Sequence, residues 1–269
     1  MPESPAVTVL MAVRNPGADF FRQAVESVLS QTFDDFELII VQDPSQVPVE
    51  EILAGISDSR IRVHRNESQV GLAQSLNIGL ALARGALIAR IDSDDLCLPQ
   101  RLERQVAFLA EHPEIDVYGS RIIVIDDKGK AVGRRLLPLS HEEIAVRMRR
   151  TNCVSHPSVM FRRASVERVG GYEANQVVED FELWCRMLTR GARFAASAEP
   201  LILYRFHEGA LKFSLARPTI TNMREIKLRY FRGQLGFLDR LRLFAERLLL
   251  FLPSRVVIFL FKLIEYRRS

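Results

Sequence analysis

In the N-terminal half, short apolar runs alternate with segments in which apolar residues recur at helical spacing. Val7 to Val13 reads as a buried strand closed by the turn Arg14-Asn15-Pro16-Gly17. Phe20 to Ser30 predicts a helix, Glu37 to Val41 a second strand, Val49 to Ile56 a helix and Ile61 to His64 a third strand. Leu72 to Ala83 predicts a helix with Leu72, Leu76, Gly79, Leu80 and Ala83 along one face, and Ala86 to Ile91 a fourth strand. This alternation predicts an α/β fold with a mostly parallel central sheet flanked by helices, in which ligands bind beyond the carboxyl ends of the strands.

The pattern then loosens, and mixed topology is expected. Gln100 to Glu111 predicts a helix, Val117 to Ile125 a strand, and Asp126-Asp127-Lys128-Gly129 a turn. Ser140 and Glu143 have capping-box spacing and open a helix reaching about Arg150. Val159 to Phe161 and Leu201 to Tyr204 predict strands, with a helix at Phe181 to Arg190 between them.

Composition adds compartment and partners. The 269 residues are 48% apolar, enough for one large domain with an appendage, and the three cysteines are too scattered for a disulfide framework or zinc site. A reducing cytoplasm is the expectation, and Met1 to Ala6 lacks the basic region of a signal peptide. From Phe213 to Ser269, twelve Lys/Arg stand against four Asp/Glu, so the +4 chain divides into an acidic body and a basic tail. In that tail Asp239, Arg242 and Glu246 share one helical face and Leu241, Phe244, Leu248 and Phe251 the other, until Pro253. Arg255 and Lys262 bracket Val256 to Phe261, too short a run to span a bilayer. Expected for residues 213–269 is a helical tail lying on an anionic membrane surface, with the enzyme peripheral on the inner face of the cytoplasmic membrane. A helical pair packed on the enzyme or in a homodimer is the alternative. Nucleic acid is not expected, because the basic residues are interleaved with apolar ones.

The sharpest chemical feature is Asp92-Ser93-Asp94-Asp95 at the end of the fourth strand. In extended chain Asp92 and Asp94 project to one side and Asp95 follows on the turn. Mutually repelling carboxylates there suit a hard divalent cation, Mg²⁺ or Mn²⁺, shared with substrate phosphates, or else form only an acidic turn. Ordered around this cluster are Val7 to Asn15, Glu37 to Ser45, Gly71-Leu72-Ala73, Asn77, Gly79 and Gly85. Later come His156-Pro157, Gly170-Gly171-Tyr172, Glu179-Asp180, Leu183-Trp184, Arg186 and Tyr204-Arg205-Phe206-His207. From about Val7 to His207 the chain resembles the family-2 glycosyltransferases, whose GT-A fold joins a nucleotide-binding half, here about 1–98, to an acceptor-binding half, about 99–212.

The resemblance implies an inverting transfer of a sugar from a nucleoside diphosphate, UDP above all, to a hydroxyl of a lipid-linked or cell-surface glycan. Asp43 is suited to accept the N3–H of uracil, although Gln42 and Pro44 depart from the usual Asp-Asp-Gly-Ser pattern. Ala12 and Arg14 would line the nucleotide pocket, with Arg14 equally readable as a surface charge. Asp92 would contact ribose or sugar, Asp94 donor and metal, and Asp95 the metal, with His207 a third ligand or a loop histidine. Asp180 is the candidate general base, unless Glu179 and Asp180 serve only the helix dipole. Glu179, His156 and Trp184 would meet the acceptor, Trp184 being otherwise a core residue. The rivals are a catalytically inactive nucleotide-sugar-binding or scaffold module and a sugar-phosphate nucleotidyltransferase. The latter would want a Gly-rich, basic phosphate loop, which Val13 to Gly17 poorly supplies.

Overall fold

The computed structural model describes residues 4–174, 177–206 and 216–251. Its chain order begins β1 (Val7–Val13), α1 (Ala18–Leu29), β2 (Phe36–Gln42), α2 (Val49–Ile52), β3 (Ile61–Arg65), α3 (Leu72–Leu82) and β4 (Leu87–Arg90). It continues β5 (Leu96–Cys97), α4 (Arg101–Glu111), β6 (Val117–Ile125), β7 (Ala131–Arg135), α5 (His141–Met148), β8 (Met160–Arg162) and α6 (Arg163–Val169). It closes with α7 (Glu179–Thr189), β9 (Phe194–Arg205), α8 (Ala216–Phe231) and α9 (Phe237–Leu249). One sheet runs β3-β2-β1-β4-β8-β6-β9-β5, with β7 on β6.

β3, β2, β1 and β4 form one wholly parallel block. Antiparallel β8 enters beside β4 and pairs also with β6, which runs parallel to β9. The second half is therefore mixed, as its looser pattern suggests. β5, β7 and α6 have no counterpart in the apolar pattern: β5 is two residues long, and exposed Ala131 and Val132 leave β7 without an inward face. β9 starts at Phe194, before the Leu201 expected, because its first half includes exposed and half-buried positions.

Alternation along the strands fills both faces of the sheet. Val9 and Met11 of β1 and Leu38 and Ile40 of β2 pack with Phe21 and Val25 of α1. Leu10, Ile39 and Val41 pack on the other side with Leu76 and Leu80 of α3. Two polar devices hold the register. Glu37, 1% exposed, accepts Thr8 Oγ1 at 2.8 Å, Arg62 Nη1 at 2.6 Å and both the N–H and Nε of Arg84 at 2.8 Å. Burial alone would raise its carboxyl pKa, but these bonds outweigh it and hold the group below the usual carboxylate range. Gly85 donates to Thr8 Oγ1 at 2.9 Å and passes so close to β1 that a Cβ there would lie 2.5 Å from the Thr8 nitrogen.

The helices after β9 pack on the body of the protein. Ile226, Phe231, Leu235 and Leu243 enter the core that contains α7 residues Phe181, Leu183 and Cys185. Tyr230 donates to Glu182 Oε1 at 2.5 Å, and buried Lys227 donates to Glu246 at 2.8 and 3.0 Å. Asp239 accepts Arg150 Nε at 2.7 Å, so α9 turns acidic residues toward the protein. Its apolar face points outward: Phe237, Leu238, Leu241, Phe244 and Leu248 are more than half exposed, as is Phe251 beyond it. Among the described residues no helix is long and apolar enough to cross a membrane.

Candidate active site

The carboxyl ends of β1, β2 and β4 form one edge of the parallel block, and the sequence-predicted donor residues sit there. Ala12 is half-buried against the core and Arg14 is exposed just beyond β1. Asp43, 3% exposed, already accepts four hydrogen bonds. Asn66 Nδ2 (2.7 Å), the Val70 N–H (3.3 Å) and Ser75 Oγ (3.3 Å) meet Oδ1, while the Gly71 N–H (2.8 Å) meets Oδ2. Asp43 thus ties the segment before α3 to the end of β2, leaving lone-pair capacity on Oδ2.

After β4 the chain turns through the acid cluster. One oxygen each from Asp92, Asp94 and Asp95 lie within 4.8 Å of one another. Asp92 is ion-paired with Arg90, a 3%-exposed strand residue whose Nε and Nη1 have no hydrogen-bond partner. Asp95 is fully buried. Its Oδ1 accepts the Arg205 N–H at 2.8 Å, and its Oδ2 has no partner. Burial, followed by the charges of Asp92 and Asp94, pushes the Asp95 carboxyl well above the usual carboxylate range. Three hard carboxylate donors, one of which carries an orphaned buried oxygen, suit a hard divalent cation such as Mg²⁺ or Mn²⁺.

The acceptor-side residues gather at the start of α7. Asp180 Oδ2 accepts Asn152 Nδ2 at 2.7 Å and Oδ1 accepts the Phe181 N–H at 2.7 Å. Burial raises the Asp180 carboxyl despite these bonds. Glu179, 8% exposed, is pushed up to about 8 by burial and then by the Asp180 charge. Its Oε1 lies 3.7 Å from His156 Nδ1, while His156 Nε2 and the Tyr172 hydroxyl share a hydrogen bond of 2.8 Å. Burial, and then Arg90, hold His156 well below the usual imidazole range, so it is neutral near pH 7. Charges on Arg90 and Asp92 act on both Glu179 and Asp180, which joins the two groups of acids electrostatically.

Trp184 is fully buried, edge-on to the rings of His156, Phe161 and Phe194 at 5.8, 6.2 and 5.9 Å. It lies in the core beneath His156, with no exposed surface to offer a ligand. His207 lies outside the described residues. Three polar partners had no role assigned from the sequence: Arg90, Asn152 and Arg205, the last present only within its motif. Arg90 had a visible signal, a lone cation inside an apolar strand, whereas Asn152 had none.

Residues 8–170 match the family model described as Glycosyl transferase family 2. The chain is 33% identical over 188 residues to the amylovoran biosynthesis glycosyltransferase AmsE of Erwinia amylovora, covering 68% of this chain and 69% of AmsE. It is 27% identical over 244 residues to the Escherichia coli UDP-Gal:alpha-D-GlcNAc-diphosphoundecaprenol beta-1,3-galactosyltransferase, covering 85% of this chain and 83% of the relative. The fold is that of GT-A enzymes. The mannosyltransferase PcManGT of Pyrobaculum calidifontis, solved with GDP-Man and Mn²⁺, superposes with TM-score 0.63 at 15% identity, over 96% of this chain and 73% of its own. With that sheet, that acid edge and that family match, the chain belongs to glycosyltransferase family 2 and is a glycosyltransferase of the GT-A fold.

Proposed function

We propose that this enzyme transfers a single sugar, with inversion, from a UDP-sugar to a hydroxyl of a lipid-linked or cell-surface glycan acceptor. The observation that carries the reading is the pairing of a hard-donor cluster at Asp92, Asp94 and Asp95 with a second carboxylate, Asp180, within its electrostatic reach. The relatives named for amylovoran biosynthesis and for transfer from UDP-Gal to a diphosphoundecaprenol acceptor support the acceptor class and the donor nucleotide.

In this mechanism Ala12, Arg14 and Asp43 frame the nucleotide, with Asp43 ordering the segment at 66–75 and offering its remaining Oδ2 lone pair to a base N–H. Asp92, steadied by Arg90, faces ribose or sugar. Asp94 and Asp95 would hold Mg²⁺ or Mn²⁺, with His207 as a further ligand. When bound, the cation neutralises the charge that develops on the departing diphosphate. Asp180 takes the proton of the acceptor hydroxyl on the face opposite the leaving group. Asn152 and the Phe181 N–H aim its oxygens and favour the ionised form the step needs. Glu179 and His156 bound the acceptor side, Glu179 protonated near neutral pH and able to donate a hydrogen bond.

Transfer chemistry belongs to residues 1–212, and residues 213–269 form a tail that meets the cytoplasmic face of an anionic membrane. Support comes from the outward apolar stripe of α9 beside a groove lined by Arg224, Arg232, Arg240 and Arg247. A second copy of the chain is the other occupant that stripe could take.

The test is a screen of UDP-, GDP- and dTDP-sugars with lipid-diphosphate acceptors, with and without Mn²⁺, reading both products. Metal-dependent release of UDP with glycosylated acceptor is expected. Release of pyrophosphate would identify a nucleotidyltransferase, and binding without turnover an inactive module.

A further inference from the structure

Arg205 ends β9 in the acceptor half, yet its contacts lie largely on the nucleotide half. Its N–H donates to Asp95 Oδ1 at 2.8 Å and its Nε to the Asp94 carbonyl at 3.0 Å. Nη2 donates to Gln23 Oε1 of α1 at 2.9 Å, and the guanidinium lies over the Phe20 ring, 4.3 Å from its centroid. Nη1 reaches the carbonyls of Asp126 and Asp127 in the turn after β6, each at 3.4 Å. The residue is 3% exposed.

A buried guanidinium is unfavourable unless its donors are met, and here they are met by three separate segments. The guanidinium bonds go to carbonyl and amide oxygens rather than to carboxylates. The Arg205 guanidinium can therefore fix the Asp94-Asp95 turn against α1 without occupying a carboxylate oxygen of either acid, leaving those oxygens for a cation. The backbone bond to Oδ1 also selects the rotamer that leaves Asp95 Oδ2 unpartnered.

We infer that Arg205 is a positioning residue for the cation and diphosphate site, bracing the turn that carries Asp94 and Asp95 to the N-terminal part of α1. The inference rests on the metal reading of Asp94 and Asp95 proposed above. Residues that orient metal ligands without touching the metal typically alter affinity by roughly 10- to 100-fold.

The test uses the full chain with Arg205→Met, Arg205→Lys and Gln23→Met. Gln23 is exposed, so its change removes one strut with little risk to folding. Mn²⁺ affinity in the presence of UDP is read by electron paramagnetic resonance of free Mn²⁺, and thermal melting is read without metal. Arg205→Met should weaken Mn²⁺ binding by roughly 10- to 100-fold, with Arg205→Lys recovering part of it and Gln23→Met showing a smaller loss in the same direction. If Arg205→Met does not fold, the other two variants decide. Folded variants that melt earlier but bind Mn²⁺ like the wild type would overturn the inference and leave Arg205 a structural residue. A wild type that binds no Mn²⁺ with UDP would instead remove the metal reading, and this inference with it.

Discussion

Asn77 of α3 and Tyr172 clasp each other through two hydrogen bonds, Nδ2 to the Tyr172 carbonyl and the Tyr172 N–H to Oδ1, both 2.8 Å. The clasp joins the nucleotide half to the loop whose tyrosine hydroxyl holds His156. Gly171 is required beside it, with φ at +73° and an added Cβ only 2.6 Å from Asn77 Oδ1. Asn77→Asp would set an anion against a carbonyl in place of a donor. A loss of about 1–3 kcal/mol in urea unfolding is expected, and a neutral result would show that the clasp does not stabilise the fold.

Asp95→Asn should weaken nucleotide and cation binding together. It removes one ligand charge while the Arg205 N–H can still meet the remaining carbonyl oxygen. A fall of about 10-fold or more in UDP affinity with Mn²⁺ present is expected, and little change in EDTA. Titration calorimetry checks both arms, and a variant as active in chelator as the wild type is with Mn²⁺ would remove the metal assignment.

Asp180→Asn should leave donor binding intact and lower kcat by roughly 10²- to 10⁴-fold, the range for losing a general base. Asn152→Ala acts through the same carboxylate. Without its hydrogen bond the ionised form is less favoured, so the acidic limb of the kcat profile should move to higher pH. Parallel collapse of donor affinity in Asp180→Asn would contradict the base role.

Glu179 links the site to stability. Its carboxyl rises from 4.5 to about 8 on folding, so between those values the folded state holds a proton that the unfolded state has released. Its contribution is complete below pH 4.5 and is lost as pH rises through about 8. Glu179→Gln should flatten the decline in melting temperature across that window in metal-free buffer. An unchanged decline would assign it to other groups.

Truncation after Lys212 would uncover the core surface that Ile226, Phe231, Leu235 and Leu243 fill, so substitution is the sharper probe of the membrane reading. Leu241→Glu with Phe244→Glu should leave folding intact, since both side chains are more than half exposed, and should abolish sedimentation with anionic vesicles. The arginine-dependent part should fade with added salt. Unaltered sedimentation alongside a change in oligomeric state would assign the stripe to a second copy of the chain.

Much of this protein is written in local pattern. Strands β1 to β4, helix α3, the Ser140 and Glu143 capping box and the acid run at Asp92 follow from alternation, helical spacing and like-charge crowding within a few residues. Gly85 could be placed by its motif, although its reason, close approach to Thr8, lies in the sheet. The two acids that open α7 were legible as well. What surrounds each acid was not. Arg90 behind Asp92 is two positions away and left a trace in its apolar strand, but Asn152 on Asp180 and Arg205 on Asp95 come from distant segments, and for Arg205 the contact to Gln23 spans 182 positions. Trp184 illustrates the same limit, since helical spacing puts it one turn beyond Asp180 while packing against Phe161 and Phe194 takes it into the core. In α9 the sequence defines two faces but not which is covered; partners on α8 and at Arg150 turn Asp239 and Glu246 inward and leave the apolar stripe outside. Periodicity fixes what a segment can present, whereas burial, hydrogen-bond satisfaction and the sign of a pKa shift depend on what tertiary packing sets against it.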